Sequence, residues 1–255
     1  MTYMIESKEL SKTYVIGKKN EQHVLKQVSL NIQKGEFVSV MGPSGSGKST
    51  LLYNVSGMDR PTSGSVMLNG KEITSLSEAE LSHLRLSKMG FIFQQIHLLK
   101  NLNIMDNIVL SAYVAKQQNR SAVNKTALEL MKKTGIAELA DQDITQASGG
   151  QLQRVAICRA LINNPDIVFG DEPTGALNSR SAGEIMDILA AINESGTTIL
   201  LVTHDSKVAA KTERVLFMLD GNLVGEYQLG KYNRDKDDIK AREEHLASWL
   251  LKMGF

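Results

Sequence analysis

Hydrophobic and polar positions change their period several times along the chain. From Val28 they alternate, then condense into Phe37-Val38-Ser39-Val40-Met41, a β-type run that stops at glycine and gives way to a helical segment after Lys48. The order is strand, glycine-rich loop, helix. Later apolar runs, Ile167 to Phe169 and Thr198 to Val202, have the length of strands buried on both faces. Between them Ile185, Ile188, Leu189 and Ile192 fall on one helical face. This alternation predicts an α/β, doubly wound core with a mostly parallel sheet. Asn69-Gly70 and Asp220-Gly221 each stand between β-type runs and predict hairpins, adding antiparallel strands at the edge of that core.

Between about residues 95 and 161 the β signals stop, and Leu128, Met131 and Ile136 recur among polar residues, which predicts an inserted helical lobe. From Arg234 to Glu244 nine of eleven residues are charged, with mixed sign, before an apolar close at Leu246, Trp249, Leu250 and Phe255. That pattern predicts a solvated amphipathic helix lying on the main body. The expected organisation is one domain over residues 1–228, with its lobe at about 95–161, and a charged tail over 229–255. No internal repeat or low-complexity tract is visible.

Composition narrows the functional classes. At 255 residues and 42% hydrophobic content the chain can bury one large core, or a core and a lobe. Lys and Arg total 29 against 28 Asp and Glu, so global charge gives no reason to expect nucleic acid or anionic lipid as a partner. The single cysteine, Cys158, sits among Val155, Ala156, Ile157, Ala160 and Leu161 and reads as packing in a buried helix. Glu6, Lys8 and Glu9 interrupt the opening residues, which lack the apolar core of a signal peptide. No run approaches the roughly 18 apolar residues of a spanning helix. Membrane association is therefore expected only through a partner.

The chemistry is concentrated in short motifs. Gly42-Pro43-Ser44-Gly45-Ser46-Gly47-Lys48-Ser49-Thr50 satisfies the phosphate-loop pattern, whose glycines let backbone N–H groups turn inward on phosphate oxygens. Lys48 would neutralise β/γ charge and Ser49 would ligate Mg²⁺, while the following helix adds the positive end of its dipole. Ile167-Val168-Phe169-Gly170-Asp171-Glu172 is an apolar strand ending in two acids, at the carboxyl edge where a doubly wound sheet binds its ligand. Alone, two such acids are more often solvated or capping the next helix. Beside a phosphate loop, Asp171 reads as a Mg²⁺ carboxylate and Glu172 as the group that polarises an attacking water. A kinase or a GTPase would fit these residues equally.

Ala147-Ser148-Gly149-Gly150-Gln151, shortly before the two-acid strand, resembles the signature of ABC transporter ATPases. Ser148, Gly150 and Gln151 would contact phosphate there through N–H groups and a helix dipole. The resemblance extends from about Ile5 to Gly225 and implies roles for further residues. Tyr14 matches the aromatic that stacks on adenine. Gln94 matches the residue that senses Mg²⁺ and γ-phosphate, and His204 matches the histidine that contacts γ-phosphate. Two positions depart from the family pattern. Ala147 replaces a leucine, and Asn178 replaces the aspartate that ends the Gly175-Ala176-Leu177 segment, removing a charge at the dimer interface.

The resemblance implies an ATP-hydrolysing subunit that works as a homodimer, because the signature of one copy completes the nucleotide site of the other. It further implies a separate transmembrane permease and a place on the cytoplasmic face of the membrane. The stretches around Gln94 to Asn107, with Leu98, Leu99 and Asp106-Asn107-Ile108, and Asp171 to Leu177 resemble the branch serving macrolide export, lipoprotein release, and bacitracin or antimicrobial-peptide resistance. The tail ending Trp249-Leu250-Leu251 resembles its peptide-antibiotic group. The alternatives are an ATPase for a lipoprotein-release or cell-division permease, and a soluble ABC ATPase of translation or DNA repair. Members of that last class carry doubled motif sets or a long coiled coil, and neither is present in this sequence.

Overall fold

The parallel sheet forms where the apolar residues condense. In the computed structural model, which describes residues 2–17, 20–233 and 238–254, the chain opens with two long strands, β1 (Tyr3–Ile16) and β2 (Asn20–Gln33), then β3 (Phe37–Met41) and α1 (Lys48–Val55). There follow β4 (Ser63–Leu68), β5 (Lys71–Glu72), α2 (Glu78–Lys88), β6 (Met89–Phe93), α3 (Ile104–Ala115), α4 (Arg120–Thr134) and α5 (Gly149–Leu161). The rest comprises β7 (Ile167–Asp171), α6 (Ser179–Glu194), β8 (Thr198–Val202), α7 (Ser206–Ala209), β9 (Arg214–Leu219), β10 (Asn222–Gln228) and α8 (Ile239–Lys252). Six strands lie in the order β10-β9-β3-β8-β7-β6, all parallel except the β9–β10 hairpin.

Register brings the functional ends of four strands to one level. Phe93 lies beside Asp171, Asp171 beside Val202, and Val202 beside Val40. The residues that follow each strand therefore emerge together at the carboxyl edge, where this class of sheet binds ligands.

The two hairpins go to different sheets. Asp220-Gly221 joins β9 to β10 and extends the parallel sheet, whereas Asn69-Gly70 joins β4 to β5 in a separate antiparallel sheet of order β2-β1-β4-β5. Packing explains the separation. Leu25, Val28 and Ile32 of β2 and Val66 and Leu68 of β4 share a core with Leu51, Leu52 and Val55 of α1 and with Val40, Phe169 and Leu200 of the parallel sheet. The antiparallel sheet thus caps the P-loop helix instead of joining the parallel edge.

A second core gathers Ile104 and Ile108 of α3, Val123, Ala127 and Met131 of α4, and Val155 and Cys158 of α5. Leu128 stays outside it at 39% exposure, because it lies about 100° round the helix from Ala127. Helix α5 faces both ways: Ile157 and Ala160 pack with Val168, Ile185 and Leu201 against the parallel sheet. Its approach to β6 is so close that a Cβ on Gly90 would lie 2.5 Å from the Ala160 carbonyl oxygen. Cys158 is buried against Thr134 Oγ1 at 3.2 Å, and burial pushes its thiol up to about 11. It is an inert core thiol at neutral pH.

Helix α8 docks on β9 and β10 through buried Leu246 and Leu250. Trp249 stacks on Tyr227 at 5.3 Å and meets Phe217 edge-on at 6.1 Å. Arg242, within the charged run, is buried and donates to the carbonyls of Ala210, Thr212, Leu229 and Gly230. That part of the run is an anchor and not a solvated face. Arg234 to Asp237 and Phe255 lie outside the described residues. Truncating Leu246 to alanine is expected to cost about 2–5 kcal/mol, read by urea denaturation; a loss below about 0.5 kcal/mol would mean that α8 is not docked as described. Among the described residues no helix is long and apolar enough to cross a membrane.

Candidate functional site

Strand β3 ends at the phosphate loop, and two of its glycines are required by close packing. A Cβ on Gly42 (φ 150) would lie 2.0 Å from the Met218 carbonyl oxygen, and one on Gly47 (φ 99) 2.8 Å from that of Val24. Beside Gly45 there is open space. Helix α1 opens on Gly47 with no side-chain cap, whereas α2 to α7 each receive one. The N–H groups at its start are thus left to an anion. Lys48 is only 7% exposed and donates to the Gly42 and Pro43 carbonyls at 2.9 and 2.8 Å. Burial lowers its pKa, with Glu172 and Asp171 acting in the opposite direction.

Asp171, at the end of β7, is held through both oxygens. Ser49 Oγ donates to Oδ1 at 2.8 Å, and the Tyr53 hydroxyl donates to Oδ2 at 2.6 Å. Ser49 and Tyr53 are one helical turn apart on α1, so one face of the helix fixes the carboxylate. The spacing is visible in the sequence, but nothing in it says what Tyr53 meets. Burial, followed by the bond to Asp171, raises the Tyr53 pKa and keeps it a donor.

Glu172 has φ 48, a left-handed conformation that costs a non-glycine residue on the order of 1 kcal/mol. Its N–H donates to the Val202 carbonyl at 3.0 Å, and this bond between neighbouring strand ends holds the strained residue in place. Its carboxylate is turned to His204, with Oε1 3.0 Å from Nδ1. A Cβ on Gly175 would lie 3.0 Å from Gln94 Nε2 and 3.2 Å from Glu172 Oε2, so Gln94, Glu172 and Gly175 converge. Gln94 follows β6, and the loop beyond it is pinned by Arg159 of α5, which donates to the Ile96 and His97 carbonyls at 2.7 and 2.8 Å. Gln153 of α5 reaches the Phe93 carbonyl at 3.4 Å.

Ser148 caps α5 in a reciprocal box with Gln151: the Ser148 N–H donates to Gln151 Oε1 at 2.8 Å, and the Gln151 N–H to Ser148 Oγ at 3.4 Å. Gly149 and Gly150 lie beside Leu177 and Ser181, and Asn178 caps α6 by accepting from the Ser181 N–H at 2.9 Å. Ala147 packs on the core of the helical lobe.

The structure therefore brings Gly42, Lys48, Ser49, Gln94, Asp171, Glu172 and His204 to one edge. Among the described residues no hydrogen bond ties Ser148, Gly150 or Gln151 to that group. Tyr14 stands on β1, its hydroxyl donating to Asp59 Oδ2 at 2.7 Å. Tyr53, Asp59 and Arg159 escaped the sequence reading because each acts through a neighbour that only folding supplies.

A family model described as "ABC transporter" matches residues 25–175. The chain is 42% identical over 252 residues to the macrolide export ATP-binding/permease protein MacB of Aggregatibacter actinomycetemcomitans, covering 99% of this chain but 38% of that protein. It thus spans well under half the length of that relative. It is 40% identical to the lipoprotein-releasing system ATP-binding protein LolD 1 of Rhodopseudomonas palustris, covering 85% of this chain and 96% of that one. Among solved structures it resembles the dimeric ABC transporter cassette MJ0796 of Methanocaldococcus jannaschii, with TM-score 0.83, 42% identity, and coverage of 90% of this chain and 100% of that one. A second MJ0796 structure, a dimeric post-hydrolysis state bound to ADP and Pi, matches with TM-score 0.83 and 41% identity.

Proposed function

This chain belongs to the ABC transporter family, and on that premise we propose that it binds and hydrolyses ATP as the motor subunit of a transporter whose permease is a separate chain. The observation that carries the reading is an incomplete site. Phosphate loop, carboxylates and histidine come together at the sheet edge, while among the described residues the start of α5, capped by Ser148 and Gln151, joins none of them through a hydrogen bond. Two copies facing each other would complete both sites, with Ser148, Gly150 and Gln151 of each turned to the nucleotide of its mate.

The donor set suits Mg²⁺. Ser49 hydroxyl, Asp171 carboxylate and Gln94 amide are hard oxygen ligands within one edge, and among the described residues no cluster of three His, Cys, Asp or Glu could hold a softer ion. Mg²⁺ takes few protein ligands and shares phosphate oxygens. When bound, the ion would neutralise β/γ charge. Lys48 and the N–H groups of Gly45 to Thr50 would bind the phosphates, with Tyr14 under the adenine. Glu172 would take a proton from the attacking water, and His204 would orient Glu172 and meet the γ-phosphate. Closing the dimer on ATP and reopening it after hydrolysis would bias the permease between two conformations.

The permease places the subunit on the cytoplasmic face of the membrane. The cargo favoured by the sequence resemblance is an antimicrobial peptide or macrolide-like compound; lipoprotein release is the alternative. Tagged Glu172→Gln protein, purified with ATP from detergent-solubilised native membranes, is expected to carry a polytopic permease in stoichiometric amount by mass spectrometry. Recovery of ribosomes or DNA, or of no membrane protein, would refute the transporter reading in favour of a soluble ATPase.

A further inference from the structure

The loop leaving the far end of α1 reaches back to Tyr14. The N–H groups of Met58 and Asp59 both donate to the Tyr53 carbonyl, at 2.9 and 3.0 Å, so the chain turns sharply where the helix stops. The Asp59 carboxylate then grips β1 twice. Oδ2 accepts from the Tyr14 hydroxyl and Oδ1 from Lys12 Nζ, each at 2.7 Å. Lys12 donates also to the Arg60 carbonyl at 2.6 Å, and its ammonium stands 4.8 Å from the centre of the Tyr14 ring. The ring thus rests against a cation, while the residue keeps 38% exposure. Burial, then Asp59, pushes the phenol up to about 12, with Thr50 acting in the opposite direction. It is a hydrogen-bond donor at neutral pH.

We infer that Asp59 is a positioning residue for the nucleotide base: by holding the Tyr14 hydroxyl it sets the ring at a fixed place relative to the phosphate loop before ATP arrives. This rests on the reading of Tyr14 as the adenine platform. Helix α1 is the spacer. Its first turn carries Lys48 and Ser49, Tyr53 bonds Asp171 through its hydroxyl and Asp59 through its carbonyl, and Asp59 closes the chain of contacts on Tyr14. An untied ring would have to be ordered by the incoming base, which lowers affinity by about two- to tenfold.

The test is equilibrium binding of Mg·ATP, with inorganic tripolyphosphate as a probe that has phosphates but no base. Tyr14→Phe keeps an aromatic face and removes the tie; Asp59→Leu removes it from the other side; Asp59→Asn keeps an acceptor. Tyr14→Phe and Asp59→Leu are each expected to weaken ATP by about two- to tenfold, the double variant no more than either single one. Asp59→Asn should recover most of the loss, and tripolyphosphate affinity should not move. If Tyr14→Ala weakens ATP while Tyr14→Phe and Asp59→Leu do not, the tie is dispensable and the inference fails, with the platform reading intact. An equal loss for tripolyphosphate would also overturn it, since Asp59 would then be supporting the loop. If Tyr14→Ala binds ATP normally, the platform reading falls first. Should Asp59→Leu not fold, Tyr14→Phe decides alone, because it leaves Asp59 in place.

Discussion

Glu172→Gln protein is expected to bind ATP and hydrolyse it about 10²–10⁴ times more slowly than the unaltered chain, equivalent to roughly 3–5 kcal/mol of barrier. Glutamine has nearly the same shape, so the N–H bond to Val202 and the left-handed turn that aims the side chain can persist. What disappears is the carboxylate beside His204 Nδ1; the neighbouring Asp171 is already occupied by two hydroxyl bonds. Lys48 and Ser49 are untouched, and one fewer negative charge faces the triphosphate. The variant should therefore accumulate as an ATP-bound dimer, visible as a shift to double the mass in size-exclusion chromatography with light scattering. Turnover at the unaltered rate would remove Glu172 from the role of base. Slow turnover without a dimer would leave the base in place and discard the proposed sharing of sites.

Lys48→Ala acts one step earlier. The ammonium is buried against two loop carbonyls, and no other Lys or Arg lies in the run Gly42 to Thr50. Losing a charge-assisted bond of about 1.5–3 kcal/mol lowers ATP affinity by about 10- to 100-fold. Hydrolysis at saturating ATP should fall further, because charge on the transferring phosphoryl group would lose a partner. Isothermal titration calorimetry reads the first effect and phosphate release the second. A melting curve guards against misfolding, since the variant also leaves the Gly42 and Pro43 carbonyls without their donor. Unchanged affinity would mean that the loop does not bind phosphate through Lys48.

The two variants separate binding from chemistry along one sheet edge. Their distinctness follows from where each side chain sits: Lys48 at the first turn of α1, Glu172 beyond the end of β7. The departure at Asn178 is less disruptive locally than its lost charge suggests, because an asparagine caps α6 as an aspartate would.

Much of the molecule is legible in the sequence because its signals are local. An apolar run of strand length, glycines before Lys48-Ser49, two acids closing a strand and a Ser-Gly-Gly-Gln helix start each state their chemistry within about ten residues. Hairpin turns are equally local, and both Asn69-Gly70 and Asp220-Gly221 turn as their residues require. Which sheet each hairpin enters is not local. It depends on α1 standing between β4 and the parallel strands, a matter of packing across the chain. The same holds for the charged run, where Arg242 finds four carbonyls on segments up to 32 residues away and becomes an anchor.

The sequence by itself determined the α/β class, the phosphate loop, the acidic strand end and the resemblance that ties them to an ATPase, since residue type and spacing along the chain carry that information. Only the tertiary structure decided that Tyr53 clamps Asp171, that Glu172 is strained toward His204, that Arg159 pins the loop after Gln94 and that Asp59 holds Tyr14. The reason is physical: strand register and helix packing bring together polar groups of residues 32 to 118 positions apart, and a hydrogen bond depends on distance in space, which spacing along one chain does not specify.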